Sequence, residues 1–290
     1  MNKIAIIPNI LKDENCKETI NLIKYLGRFN CDLRIEREFE PYLAEVCKLE
    51  GVKIEFSERG ELFAGAELLI TLGGDGTIIE AAVEAARYAV PIVGVNMGNL
   101  GFLSRIEKGC YAPLENIING SFGINNCMML EIERVNSKGE VIESHLALND
   151  LIISGEDYKM VSVATSVNGV AMSRYSADGI IVATAVGSTA YSLSAGGAVM
   201  HPEVDAMIIT PICPHTLKAR SAVIPADRVI EITHCPPYRC GAVVRADGNM
   251  IYKLKDDTER VRIKKSKYST LLVKLDDPTF FDVLRDKLSD

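Results

Sequence analysis

The chain has 290 residues, with 32 basic against 39 acidic side chains and a net charge of −7. Hydrophobic residues make up 48% and charged ones 24%, a globular balance that excludes intrinsic disorder, a coiled coil and a collagen-like polymer. Nucleic acid is disfavoured as a partner, because the charge is acidic and the densest basic run, Arg260 to Lys265, alternates like a strand with one wet face.

The opening residues, MNKIAIIPNI, lack the apolar core and cleavage site of a signal peptide. Gly179 to Met200 is uncharged, but nine of its 22 residues are Gly, Ser or Thr, too polar for a spanning helix. The eight cysteines are scattered, with no CxxC pair and no Cys/His cluster at zinc spacing. A cytoplasmic protein with reduced thiols and no membrane segment is expected.

In chain order, Ile4-Ala5-Ile6-Ile7 reads as a buried strand closed by Pro8-Asn9. Helices are expected over 14–27, ended by Gly27, and over 40–49, with Gly51 beyond its end. Strands follow at 52–56 and 68–72, then an Ala-rich helix from Thr77 to about Tyr88 and a strand at 92–95. This alternation predicts an α/β N-terminal domain with a parallel sheet, over 1–110. From about 125 the pattern becomes short β runs: 127–135, 140–153, 160–167, 170–175, 180–184, 228–233, 241–246, 250–255 and 258–264. Asn168-Gly169 is the strongest hairpin signal, and Asp247-Gly248-Asn249 marks another turn. The expectation is an all-β, sandwich-like C-terminal domain over 125–267. A strand at 271–273 and a helix from Phe280 to Leu288 form a tail, about 268–290, that is expected to pack back on the first domain.

Four segments could carry chemistry. In Leu72-Gly73-Gly74-Asp75-Gly76-Thr77, glycines surround a carboxylate after a buried strand and before a helix. Missing Cβ atoms let a phosphate approach Gly73, Gly74 and Gly76, and the amides from Thr77 onward begin a helix N-terminus. Asp75 would then meet a hydroxyl or a magnesium ion; the alternative is a tight turn with Asp75 as helix N-cap. The pattern is neither a Walker A loop nor a G-x-G-x-x-G fingerprint. In Asn96 to Leu103, Phe102 could line a nucleotide pocket or plug the domain boundary. Asn149-Asp150 interrupts an apolar run; adjacent strand residues face opposite sides, so at most one would face a given pocket unless a bulge intervenes, and the alternative is a ligand-free bend stabilised by Asx hydrogen bonds. Lastly, Asp178-Gly179 precedes Gly187-Ser188-Thr189-Ala190-Tyr191-Ser192-Leu193-Ser194-Ala195-Gly196-Gly197, where small residues admit a flat ligand and Tyr191 can cover an adenine. A tight ligand-free crossing is the alternative. Ser188 and His201 do not make a hydrolase triad, since no G-x-S-x-G elbow is present.

Gly73-Gly74-Asp75-Gly76-Thr77 resembles the motif of NAD kinases and of their relatives, the diacylglycerol, sphingosine and 6-phosphofructokinases. Asn-x-Gly-x-Leu-Gly-Phe (96–102), Leu-Asn-Asp (148–150), the 187–197 segment, His201-Pro202 and Ile209 to His215 are similar to NAD kinase signatures specifically, over residues 70–250. The resemblance implies phosphoryl transfer from ATP with Mg²⁺, or from polyphosphate, to the 2′-hydroxyl of the adenosine ribose of NAD. It implies Asp75 as the acceptor of that hydroxyl proton and Gly76 beside the ligand. Phe102 would line the adenosine pocket, Asn149 would bind adenine and Asp150 a ribose hydroxyl. Thr189, Ala190 and Tyr191 would hold the adenine, with Ser194 nearby. Asp178 would reach a neighbouring chain's ligand, in a homo-oligomer, commonly a tetramer. No P-loop lysine would be needed where backbone amides and Mg²⁺ neutralise the triphosphate. Two positions depart from the family pattern: Asp150, where many bacterial members have Glu, and Ser176, where many have a basic residue. A non-catalytic dinucleotide sensor and a lipid kinase of the diacylglycerol or sphingosine type are the alternatives.

Overall fold

A computed structural model describes residues 1–98, 101–236, 240–254, 256–275 and 279–288. Asn99 and Leu100 of the second glycine-rich loop lie outside the described residues. The chain forms two compact units, Met1–Asn126 with Thr270–Asp290, and Cys127–Ser269.

The first unit contains β1 (Lys3–Pro8), α1 (Lys17–Leu26), β2 (Asp32–Glu36), α2 (Glu40–Glu50), β3 (Ile54–Ser57), β4 (Leu68–Gly73), α3 (Asp75–Tyr88), β5 (Ile92–Asn96), β6 (Ser104–Glu107) and α4 (Ala112–Ile118). Its strands are parallel in the order β3-β2-β1-β4-β5, with β6 joining β5 from Gly94 onward. Period-two alternation sorts the side chains. Ile4, Ile6, Leu68, Ile70, Leu72, Val93 and Val95 join Leu22, Ile23 and Leu26 of α1 in one core. The opposite face receives α3, which comes close because residue 94 of β5 is glycine: a Cβ there would lie 2.6 Å from Ile78 Cδ1. All six residues of β4 are buried, so the strand can be uniformly apolar.

The second unit is antiparallel. It contains most of β7 (Gly123–Val135), then β8 (Val141–Ala147), β9 (Asp150–Gly155), β10 (Val161–Val167), β11 (Val170–Ala177), β12 (Gly179–Thr184), the single helical turn α5 (Tyr191–Ser194), β13 (Ala206–Ile212), β14 (Ala222–Pro225), β15 (Ile230–His234), β16 (Ala242–Ala246) and β17 (Asn249–Leu254). β18 (Arg260–Lys274) starts here and ends in the first unit, where Leu272 pairs with Ile92; α6 (Phe280–Leu288) follows. One sheet runs β11-β10-β15-β18, with β7 and β8 beside it; the other runs β14-β13-β12-β9-β16-β17. The apolar core includes Leu130 and Ile132 from the first sheet and Ile153, Ile180, Val182, Ile209 and Val244 from the second. The alternate residues of β12 and β13, Ile181, Ala183 and Ile208, enter a smaller cluster on the outer face. Hence the uncharged 179–200 stretch is a strand covered on both faces, followed by a hydroxyl-rich loop.

Both hairpin signals are turns with two positive φ angles: 48° and 75° at Asn168-Gly169, 46° and 83° at Asp247-Gly248. Other expectations are corrected. The run 140–153 breaks at Leu148-Asn149, and the segments at 258–264 and 271–273 are one strand. α3 begins at Asp75, and β2, β6, α4, β13 and β14 are additional elements. β2, β6, α4 and β14 are short, at four to seven residues, and β13 is buried along its whole length. No helix of the described residues is long and apolar enough to cross a membrane.

Candidate active site

In the first unit the chain leaves the buried end of β4 and turns at Gly74, the N-cap of α3. Asp75, half-buried, is the first helical residue and does not cap its own helix. Its carboxylate reaches across to the second loop instead. Oδ2 accepts the Phe102 N–H (2.8 Å); Oδ1 accepts the Leu103 N–H (3.1 Å), the Ser104 N–H (2.9 Å) and the Ser104 hydroxyl (2.9 Å). The loop can lie this close because residue 101 is glycine: a Cβ there would sit 2.0 Å from Asp75 Oδ1. The carboxylate orientation is therefore fixed by three consecutive peptide groups. Phe102 packs against Phe280 of α6, with ring centroids 6.1 Å apart.

The surroundings are cationic. A Cβ added to Gly74 would be 2.9 Å from Lys12 Nζ, so this exposed lysine of the β1–α1 loop lies over the glycine turn. Asn9, from the same loop, donates to the Thr77 hydroxyl (3.1 Å). Arg105 is half-buried beside Asp75; burial pulls its guanidinium below the usual range, while the charges of Asp75 and Asp282 oppose that shift. A helix N-terminus with a lysine over it suits a phosphate chain.

In the second unit, Leu148 and Asn149 separate β8 from β9, and the bend frees adjacent side chains from strict alternation. A carboxylate again holds three consecutive amides. Asp247 Oδ2 accepts the Leu148 N–H (2.7 Å), and Oδ1 accepts those of Asn149 (2.8 Å) and Asp150 (3.1 Å). Burial pushes the Asp247 carboxyl upward, against the pull of these three N–H groups. Asp150 is 4% exposed. Desolvation, and then the charge of Asp247, push its carboxyl up to about 7.

The segment 184–194 packs onto this bend. A Cβ on Gly187 would lie 2.1 Å from the Asn149 carbonyl oxygen, so only glycine lets the two backbones meet. Thr189 and Ala190 are half-buried, whereas Tyr191 and Ser194 are exposed. Asp178, Tyr191, Cys213, Arg245 and Lys253 line one cleft of about 820 Å³. Ser176 is exposed, and its carbonyl accepts the His215 N–H (2.9 Å).

Thus Asp75 and Phe102 are linked in one cluster, and Asn149 and Asp150 lie against the 187–191 loop in another. Asp178 and Tyr191 share the cleft. Sequence reading missed Lys12, Asp247 and Thr184. Asp247 is visible only as a turn residue, and Lys12 lies far from the glycine turn in sequence.

Residues 4–122 match the ATP-NAD kinase N-terminal domain and residues 148–275 the ATP-NAD kinase C-terminal domain. A NAD kinase of Caldanaerobacter subterraneus subsp. tengcongensis is 40% identical over 293 residues, covering 100% of both chains. One from Symbiobacterium thermophilum is 44% identical over 233 residues, 79% of this chain and 81% of its own. Among solved structures, a NAD kinase from Archaeoglobus fulgidus in complex with ATP superposes with a TM-score of 0.71 at 26% identity, covering 98% of each chain. Yeast NADH kinase complexed with NADH has the same fold, with a TM-score of 0.86 at 21% identity, over 99% of this chain and 87% of its own. The chain belongs to the NAD kinase family.

Proposed function

We propose that the protein phosphorylates the 2′-hydroxyl of the adenosine ribose of NAD with ATP, giving NADP and ADP. The observation that carries this reading is the Asp75 carboxylate, oriented by Phe102, Leu103 and Ser104 at the N-terminus of α3. Oδ1 already accepts three donors, whereas Oδ2 accepts one. Oδ2 is therefore the atom with capacity to accept the ribose hydroxyl hydrogen. Phosphoryl transfer has a loose transition state, so orienting the hydroxyl and neutralising phosphate charge matter more than a strong base. The glycine turn, Gly73 to Thr77, would take the donor phosphates, with Lys12 as a counter-charge. Asn149, Asp150, Thr189, Ala190 and Tyr191 would hold the adenosine half of NAD, with Phe102 and Ser194 at its margins.

Magnesium fits this arrangement. Among the described residues no three His, Cys, Asp or Glu side chains form a metal cluster, and Mg²⁺ is commonly held by one or two carboxylates together with substrate phosphates. Asp75 is the carboxylate nearest the glycine turn. When bound, the ion would neutralise charge developing on the transferred phosphoryl group. A homo-oligomer in which Asp178 reaches a neighbour's ligand, and a cytoplasmic location, extend the same proposal; Asp178 is exposed and lines the Tyr191 cleft.

The test is NADP formation from NAD, ATP and Mg²⁺, read by an NADP-specific dehydrogenase. Steady production is expected. NAD binding without NADP formation, with ATP or polyphosphate as donor, would instead favour a non-catalytic sensor.

A further inference from the structure

The bend that carries Asn149 and Asp150 owes its shape to two residues. Each main-chain polar group of Leu148, Asn149 and Asp150 finds its partner on Asp247 or Thr184. Asp247 takes the three N–H groups through its carboxylate and donates its own N–H to the Asp150 carbonyl (2.9 Å). Thr184 takes the other two carbonyls: its hydroxyl donates to Leu148 O (2.7 Å), and its N–H donates to Asn149 O (2.9 Å).

The Thr184 hydroxyl has a second role. Its oxygen accepts the Gly187 N–H (3.0 Å), at the start of the loop that carries Thr189, Ala190 and Tyr191. One hydroxyl thus ties the Asn149-Asp150 bend to the 187–191 loop, at the point where Gly187 touches Asn149. Thr184 is 0% exposed and touches no solvent. A β-branched apolar residue would suit the strand equally well but would leave the Leu148 carbonyl and the Gly187 N–H unpaired. The Asn149 side chain forms no hydrogen bond with the described residues, so its amide remains available to a ligand once the backbone is fixed.

We infer that Thr184 is a positioning residue for the acceptor nucleotide, whose hydroxyl sets the spacing between the Asn149-Asp150 bend and the 187–191 loop. The inference rests on the proposal that these two segments bind the adenosine half of NAD.

The test compares Thr184→Val, which removes the hydroxyl at nearly constant shape, with Thr184→Ser, which keeps it. Asn149→Ala is measured alongside. Thr184→Val is expected to raise KM for NAD about tenfold, the effect of one buried hydrogen bond lost, with KM for ATP unchanged. Thr184→Ser should return KM for NAD to within about twofold of the parent, as expected when the lost bond is remade. A Thr184→Val enzyme with parental KM for NAD, or equal impairment of the Val and Ser variants, overturns the role of Thr184. Parental KM for NAD in Asn149→Ala overturns the underlying site reading as well. Should Thr184→Val not fold, amide hydrogen exchange of the parent decides. Amides 148–150 and 187–191 should open together and gain protection together on adding NAD; independent opening overturns the proposal.

Discussion

The two units use the same device for different ends. In the first, Asp75 accepts the N–H groups of Phe102, Leu103 and Ser104; in the second, Asp247 accepts those of Leu148, Asn149 and Asp150. Both carboxylates bend a loop around themselves, and each loop closes over a glycine contact, Gly101 on Asp75 and Gly187 on Asn149. They differ in what remains available. Asp75 is half-buried, and its Oδ2 has capacity for another donor. Asp247 is occupied by its loop, and the chemistry-bearing side chains belong to the residues it holds. A clasped carboxylate can thus be the reacting group or the scaffold for one.

Replacing each clasp separates these roles. The largest effect is expected for Asp75→Asn. Either orientation of the amide sets an NH₂ against a backbone N–H, and the acceptor for the ribose hydroxyl is weakened. The expected loss is about 10²–10⁴-fold in kcat, the usual range for removing such a group, checked in the coupled NADP assay. Asp247→Asn should act on binding. Its amide leaves at least one N–H of the bend unpaired, at a cost of about 1–3 kcal/mol, seen as roughly a tenfold rise in KM for NAD with kcat nearly preserved.

A smaller effect is expected at Lys12, which lies over Gly74 in the first unit alone. Lys12→Ala should raise KM for ATP severalfold, leave KM for NAD unchanged and reduce the salt dependence of ATP binding, because an exposed charge is screened. An unchanged KM for ATP would remove Lys12 from the donor site.

The smallest effect is a pH dependence confined to the second unit. Asp150 is raised to about 7 by burial and then by Asp247. Its folded value lies above the unfolded one, so its stabilising contribution is full below about pH 4 and lost as pH rises through about 7. Asp150→Asn should therefore raise Tm at pH 8 and change it little at pH 4 or below. A similar Tm gain at both pH values would show that Asp150 is ionised throughout.

The α/β alternation of the first unit was legible because β1, β4 and β5 are largely apolar, buried strands that end at the turn-forming residues Pro8, Gly73 and Asn96. Asp75 stood out for the same local reason. Asp247 did not, because its partners lie 97 to 99 residues away and the local signal is a hairpin turn. Thr184 is hidden in the run Gly179 to Thr184, where a threonine reads as one more β-branched strand residue. β13 was missed because both its faces are covered, which removes the alternation that would reveal it. Local chemistry was readable from the sequence; the long-range bonds that orient it were not.

The most direct test is to measure kcat and KM for NAD of Asp75→Asn and Asp247→Asn side by side, at fixed saturating ATP and Mg²⁺. Two clasps with different duties predict a kcat collapse with little change in KM for the first, and a raised KM with nearly parental kcat for the second. Loss of the same parameter in both variants would contradict the account.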